Sequence, residues 1–108
     1  MEEKKLLLVL TAPGISETVM RCDAVTFTVP DGVNGKNGGS VGIRPGHASA
    51  MMALAPGKIT AKLEGKCVLS AATSGGFVTV EPRRVTVLSD GLQIEQMDEH
   101  CCLRDSEI

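Results

Sequence analysis

Residues 74–90 read SGGFVTVEPRRVTVLSD. Two short runs, Gly76–Glu81 and Arg84–Ser89, flank the turn pair Pro82-Arg83. In the first, Phe77 lines up with Thr79 while Val78 and Val80 share the other face. In the second, Val85 and Val87 share a face. A period of two broken by a tight turn predicts a β-hairpin. Immediately upstream, Lys58–Leu63 and Lys66–Ala72 repeat the pattern across Glu64-Gly65.

Further out, Pro56-Gly57 makes a turn and Ala48–Leu54 forms an apolar run rich in Ala and Met. By pattern alone this run fits a strand or a helix. Its length and the Pro-Gly pairs that bound it favour a buried strand, although Ala and Met are weak strand formers. Val41–Ile43 is a short strand ended by Pro45-Gly46. Within Val19–Val29, residues Val25, Phe27 and Val29 alternate with Thr26 and Thr28 until Pro30, which has no N–H to donate, ends the pairing. Leu6–Thr11 is a first strand closed by Pro13-Gly14. Asp31–Ser40, DGVNGKNGGS, is Gly-rich and reads as a flexible loop. From Gln93 onward the chain is polar, with Ile94, Met97 and Cys101 at helical spacing, so a short helix is open there.

Strands this short, roughly 8–12 residues apart, predict an all-β fold, an antiparallel sandwich or barrel. The chain has 108 residues, enough for one core. Two Phe and no Tyr or Trp leave the core to aliphatic side chains and give little stacking surface for single-stranded nucleic acid. A net charge of -2 without a Lys/Arg run argues against sequence-independent nucleic-acid binding, and no nucleic-acid partner is expected. The longest apolar stretch, Leu6–Leu10, is far short of the ~20 residues that span a bilayer. It also lacks the length and cleavage site of a signal peptide. The expected place is the cytoplasm, with reduced thiols. Cys22 and Cys67, within strand-like runs, are expected in the core. Cys101 and Cys102 fall in the tail, where exposure is expected.

No constellation for chemistry emerges. Gly35-Lys36 is followed by Asn37, and Pro30 stands where a P-loop needs its first Gly. His47 has no nucleophile or acid beside it in sequence. His100-Cys101-Cys102 offers adjacent ligands that reach one tetrahedral ion poorly. Ser70, Thr73 and Ser74 lie near glycines but outside any G-x-S-x-G elbow. Arg83-Arg84 at a hairpin turn reads as a solvated tip, with carboxylate or phosphate binding the minority reading. The residues alone therefore indicate a small interaction domain with no catalytic residues, no metal and no cofactor.

Three stretches in order, VGIRPGHA at 41–48, ALAPGKI at 53–59 and SGGFVTVEPRRVTVLSD at 74–90, resemble the N-terminal domain of the ATP synthase epsilon subunit. The opening strand and VTFTVP at 25–30 fit as well, so the resemblance covers about 6–90. It implies a flattened β-sandwich over residues 1–91 and a truncated tail over 92–108. It implies a non-catalytic central-stalk part that couples the gamma subunit to the c-ring during ATP synthesis or hydrolysis driven by ion transport, and a peripheral place on the inner (plasma) membrane through the complex. The implied partners are gamma and the c-ring, with no small-molecule substrate. His47 and Met52 match positions near gamma. Gly39, Ser40 and Arg44 are the implied c-ring contacts, although many relatives carry an acidic residue where Ser40 stands. Relatives continue into a two-helix hairpin, of which 93–108 covers only the start, so no ATP binding is expected. The alternative is an unrelated β-sandwich that binds a ligand or protein. It predicts an apolar cavity with convergent polar groups, whereas an exposed Ala/Met surface favours the rotor part.

Overall fold

The computed structural model describes residues 5–30 and 39–103. Most of the Gly-rich loop (31–38) and the last tail residues (104–108) lie outside the described residues.

Among the described residues eleven strands form two sheets: β1 Leu6–Thr11, β2 Thr18–Cys22, β3 Ala24–Val29, β4 Gly39–Ile43, β5 Ala50–Leu54, β6 Gly57–Leu63, β7 Lys66–Thr73, β8 Gly76–Glu81, β9 Arg84–Ser89, β10 Leu92–Met97 and β11 Cys102–Leu103. The first sheet runs β11-β2-β1-β9-β8-β5 and the second β10-β7-β6-β3-β4. All pairings are antiparallel except β1 with β9, where Leu8 stands beside Val85 and Leu10 beside Val87. The principal extents, 41 × 35 × 21 Å, are those of a flattened sandwich.

Alternation builds the core. Leu6, Leu8, Leu10, Met20, Cys22, Val78, Val80, Val85 and Val87 of the first sheet meet Val25, Phe27, Ile43, Ile59, Ala61, Val68 and Leu69 of the second. Val25 and Phe27 are buried and Val29 packs against the same cluster, so the three share the inward face as their spacing requires. Both expected hairpins are present. Glu64 (φ 53) and Gly65 (φ 83) both turn left-handed, the geometry a two-residue hairpin loop demands.

Several expectations need correction. The run Val19–Val29 is two strands in different sheets, divided at Asp23. The buried positions Met20, Cys22, Val25 and Phe27 change phase there. The crossing is pinned by Asp23 N–H donating to the Lys62 carbonyl (2.8 Å) and by Glu64 N–H donating to Asp23 Oδ2 (2.9 Å). Val41–Ile43 extends back to Gly39, because Gly39 and Ser40 pair with Val29 and Thr28. The buried strand expected over Ala48–Leu54 is an edge strand, β5, in which only Leu54 is buried.

The tail also differs from the helical reading. Leu92–Met97 is strand β10, paired with β7, and only Glu99–Cys101 makes a short 3-10 turn. A bulge between Ile94 and Gln96 explains the spacing. One extra residue lets Ile94 and Met97, three apart, both pack on the core. The thiols are rearranged too: Cys67 is exposed, while Cys101 is buried because the turn folds it against β2.

Candidate functional site: two unlike faces and an open edge

The outward residues of the second sheet are polar. Thr26, Thr28, Thr60 and Ser70 alternate with core residues there. Lys58 and Glu95 form an ion pair at 3.3 Å, and Ser70 Oγ donates to Glu95 Oε1 at 3.3 Å. Water satisfies such a face.

The outward face of the first sheet is different. Met51, Phe77 and Leu88 are 72%, 57% and 52% exposed. Ala53, Phe77 and Leu88 stand in one row across β5, β8 and β9, with strands about 4.8 Å apart. Leu7 and the buried Val9 continue the apolar character on β1. Large apolar groups gathered on one sheet face mark an interaction surface rather than scattered exposure. The sequence did carry a signal for it: Phe77 and Leu88 fall in the outward phase of their strands, opposite Val78, Val80, Val85 and Val87.

At one edge β5, the terminal strand of the first sheet, lies against β3 of the second, next to that sheet's own terminal strand β4. Ala55 N–H, just after β5, donates to the Thr28 carbonyl of β3 at 2.9 Å and ties the two sheets together there. Between them opens a cleft of about 280 Å³ lined by Val29, Val41, Met51, Met52 and Ala53. None of these side chains is polar, so the cleft offers no group to orient a small ligand. Met52 points inward and packs on the core, while its neighbour Met51 points out.

The other candidate residues are divided by the length of β4. Exposed Gly39 and Ser40 open the strand, and exposed Arg44 follows its last residue. Five residues of strand, roughly 16 Å, separate these groups. Arg44 instead lies beside His47, whose N–H donates to the Arg44 carbonyl at 3.2 Å. The Gly46 N–H ties this turn to the Pro82 carbonyl at 2.7 Å. His47 Nδ1 is 2.7 Å from the Ala48 carbonyl. A carbonyl only accepts, so Nδ1 carries the proton and Nε2 remains the ring's other polar atom.

Titration and metal chemistry find little here. Burial pushes the Cys22 thiol up to about 12, with smaller upward contributions from Asp23 and Cys101. Burial and nearby Asp98 also raise Cys101. Both thiols are held neutral and unreactive. Among the described residues no group of three or more His, Cys, Asp or Glu side chains is placed to hold a metal. His100 Nδ1 lies 3.4 Å from Asp98 Oδ1. No helix among the described residues is long and apolar enough to cross a membrane.

Residues 18–94 match the family described as ATP synthase, Delta/Epsilon chain, beta-sandwich domain. The chain belongs to this family. An ATP synthase epsilon chain of Acinetobacter baumannii is 38% identical over 81 residues, 74% of this chain and 55% of the relative. That of Acinetobacter baylyi is 40% identical over 67 residues, 61% of this chain and 48% of the relative. The chain thus spans about half the length of the curated relatives it matches. Two solved structures share the fold of this delta/epsilon domain. One is a chain of the Euglena gracilis mitochondrial ATP synthase, solved as OSCP/F1/c-ring (TM-score 0.67, 22% identity, 87% of this chain and 56% of that one). The other is a chain of the Tetrahymena thermophila central stalk and c-ring (TM-score 0.59, 19% identity, 86% of this chain and 69% of that one). Membership of the delta/epsilon family displaces the alternative of an unrelated β-sandwich.

Proposed function

We propose that this chain acts as the sandwich part of an ATP synthase epsilon subunit, a non-catalytic rotor piece that couples gamma to the c-ring. The observation that carries this reading is the contrast between the two sheets. One face is polar and ion-paired; the other presents Met51, Phe77 and Leu88 to a partner. A block of two packed sheets also transmits force without deforming, because protein interiors are close-packed.

In this reading gamma covers the apolar face and the adjoining β4/β5 edge, where Met52 and the turn carrying His47 lie. Gly39 and Ser40, at the opposite end of β4 from Arg44, face the c-ring. Arg44 makes a separate contact. The subunit does no chemistry of its own. It sits on the cytoplasmic side and meets the membrane only through the complex, whose work is ATP synthesis or hydrolysis coupled to ion movement.

The test is affinity isolation of the tagged chain from native membranes. The expected result is co-isolation of gamma and c subunits, and loss of gamma when Phe77 and Leu88 are replaced by Glu. Isolation of the folded chain without either subunit would overturn the reading.

A further inference from the structure

The four arginines among the described residues, Arg21, Arg44, Arg83 and Arg84, are all exposed and all lie at one end of the sandwich. Arg44 follows β4, Arg83 stands in the β8–β9 turn, Arg84 opens β9 and Arg21 is the penultimate residue of β2. Their backbones are tied together. Gly46 N–H donates to the Pro82 carbonyl at 2.7 Å, and Leu7 N–H donates to the Arg83 carbonyl at 3.0 Å. Leu7 is flanked in register by Arg84 on one side and Arg21 on the other.

The chain as a whole carries a charge of -2, so this clustering is not a surplus of cations spilling over. Arg21, Arg44 and Arg84 form no ion pair among the described residues. Among the described residues, Asp23, Glu64 and Asp98 make their contacts elsewhere: Asp23 accepts from Glu64 N–H, Glu64 pairs with Lys5 at 3.5 Å, and Asp98 accepts from His100 N–H. Glu81 stands opposite Arg84 in the hairpin and offsets only part of the charge. Lys58, near the other end, is already paired with Glu95.

We propose that this end of the sandwich docks an acidic segment of a partner polypeptide, with carboxylates ~10 Å apart that reach Arg21 and Arg84 across two strand spacings. A helix presents carboxylates at about that separation when they are seven residues apart. Half-buried Leu7 lies between the two arginines and offers an apolar contact midway. Arg44 extends the site around the turn. Guanidinium groups favour carboxylates because their planar fork bonds both oxygens at once. The site adjoins the apolar face assigned to gamma and shares Leu7 with it, but the peptide test does not depend on that assignment.

The experiment uses the whole chain and two fluorescein-labelled helical peptides of equal composition. One carries Glu pairs seven residues apart along one side; the other spreads them around the helix. Fluorescence anisotropy should show the first peptide binding at least tenfold more tightly at low salt, weakening as salt rises. Replacing Arg21 and Arg84 together by Glu should abolish that preference, and the milder Arg→Gln pair should reduce it. Lys58→Glu should leave it unchanged, and all variants should melt like the parent. Equal binding of the two peptides, equal loss in the Lys58 variant, or binding to phosphatidylglycerol vesicles with neither peptide bound would each overturn the proposal.

Discussion

Thr73 Oγ1 and Ser89 Oγ lie 2.6 Å apart and bridge the two sheets at the end where β7 and β9 finish. They are the two buried polar side chains among the described residues. Each hydroxyl also serves a loop: Gly75 N–H donates to Thr73 Oγ1 at 3.1 Å, and Ser89 Oγ donates to the Gly91 carbonyl at 2.6 Å. Ser74 N–H to the Gly91 carbonyl and Asp90 N–H to the Gly75 carbonyl complete the tie. Ser89→Ala removes one hydrogen-bond partner each from Thr73 Oγ1, Gly91 N–H and the Gly91 carbonyl. It should cost about 1–3 kcal/mol in urea unfolding. A double-mutant cycle with Thr73→Val should show clear coupling, and strict additivity would mean the pair acts as two separate loop caps.

Glycine matters sharply at one position. A Cβ on Gly76 would stand 2.0 Å from the Leu88 carbonyl oxygen, at φ +144. Both the clash and the backbone conformation forbid a side chain, so Gly76→Ala should prevent folding or cost several kcal/mol. At Gly46, φ is +87 but nothing lies within 4 Å. Gly46→Ala should therefore cost only about 1 kcal/mol. Thermal melts of the two variants compare them directly.

The cysteines should label in an order set by burial. With iodoacetamide, exposed Cys67 reacts first, half-buried Cys102 next, and Cys101 and Cys22 only on opening. Mass spectrometry of digests reads the order.

Cys22 also links stability to pH. Its folded value of about 12 lies above the ordinary thiol value of about 9. A raised value means the folded state holds the proton more tightly. The contribution is complete below pH 9 and is lost as pH climbs from 9 to 12, by about 1.4 kcal/mol per unit at most. Cys22→Ala should be less stable near neutral pH, since it leaves a small cavity, yet its stability should fall less steeply above pH 9. Parallel slopes for parent and variant would contradict this.

The two methionines of β5 should separate folding from docking. Met51 is 72% exposed, whereas Met52 packs on the core. Met51→Glu should leave the melt unchanged and weaken gamma binding in a pull-down. Met52→Glu should lower the melting temperature, because it sets a carboxylate against apolar neighbours.

The strands and hairpins could be read from the sequence because alternation records which side of a sheet is dry. Val78, Val80, Val85 and Val87 announced the β8–β9 hairpin directly. Alternation carries no information about which sheet a strand joins, so the crossing at Asp23 stayed hidden, as did the parallel pairing of β1 with β9. A bulge also imitates a helix: Ile94 and Met97 share a face through one inserted residue. The surface was legible only in part. Phe77 was visibly on the Thr79 side, but the row it forms with Ala53 and Leu88 exists only once the register is known. The arginine cluster draws on β2, β4 and β9, far apart in the chain, and no local pattern foretells it.

The parallel pairing of β1 with β9 also governs when the molecule can assemble. On a ribosome, Leu7 is made long before its neighbour Arg84. At ~5–20 residues per second, the wait is roughly 4–15 seconds. Until then the LLLVL segment of β1 has only β2 as a neighbour and shows an unpaired, strongly apolar border to solvent. A nascent chain in that state is a natural client for a holding chaperone. Codon choices that slow synthesis between β2 and β9 should lower the yield of soluble protein without changing a single residue of the finished fold.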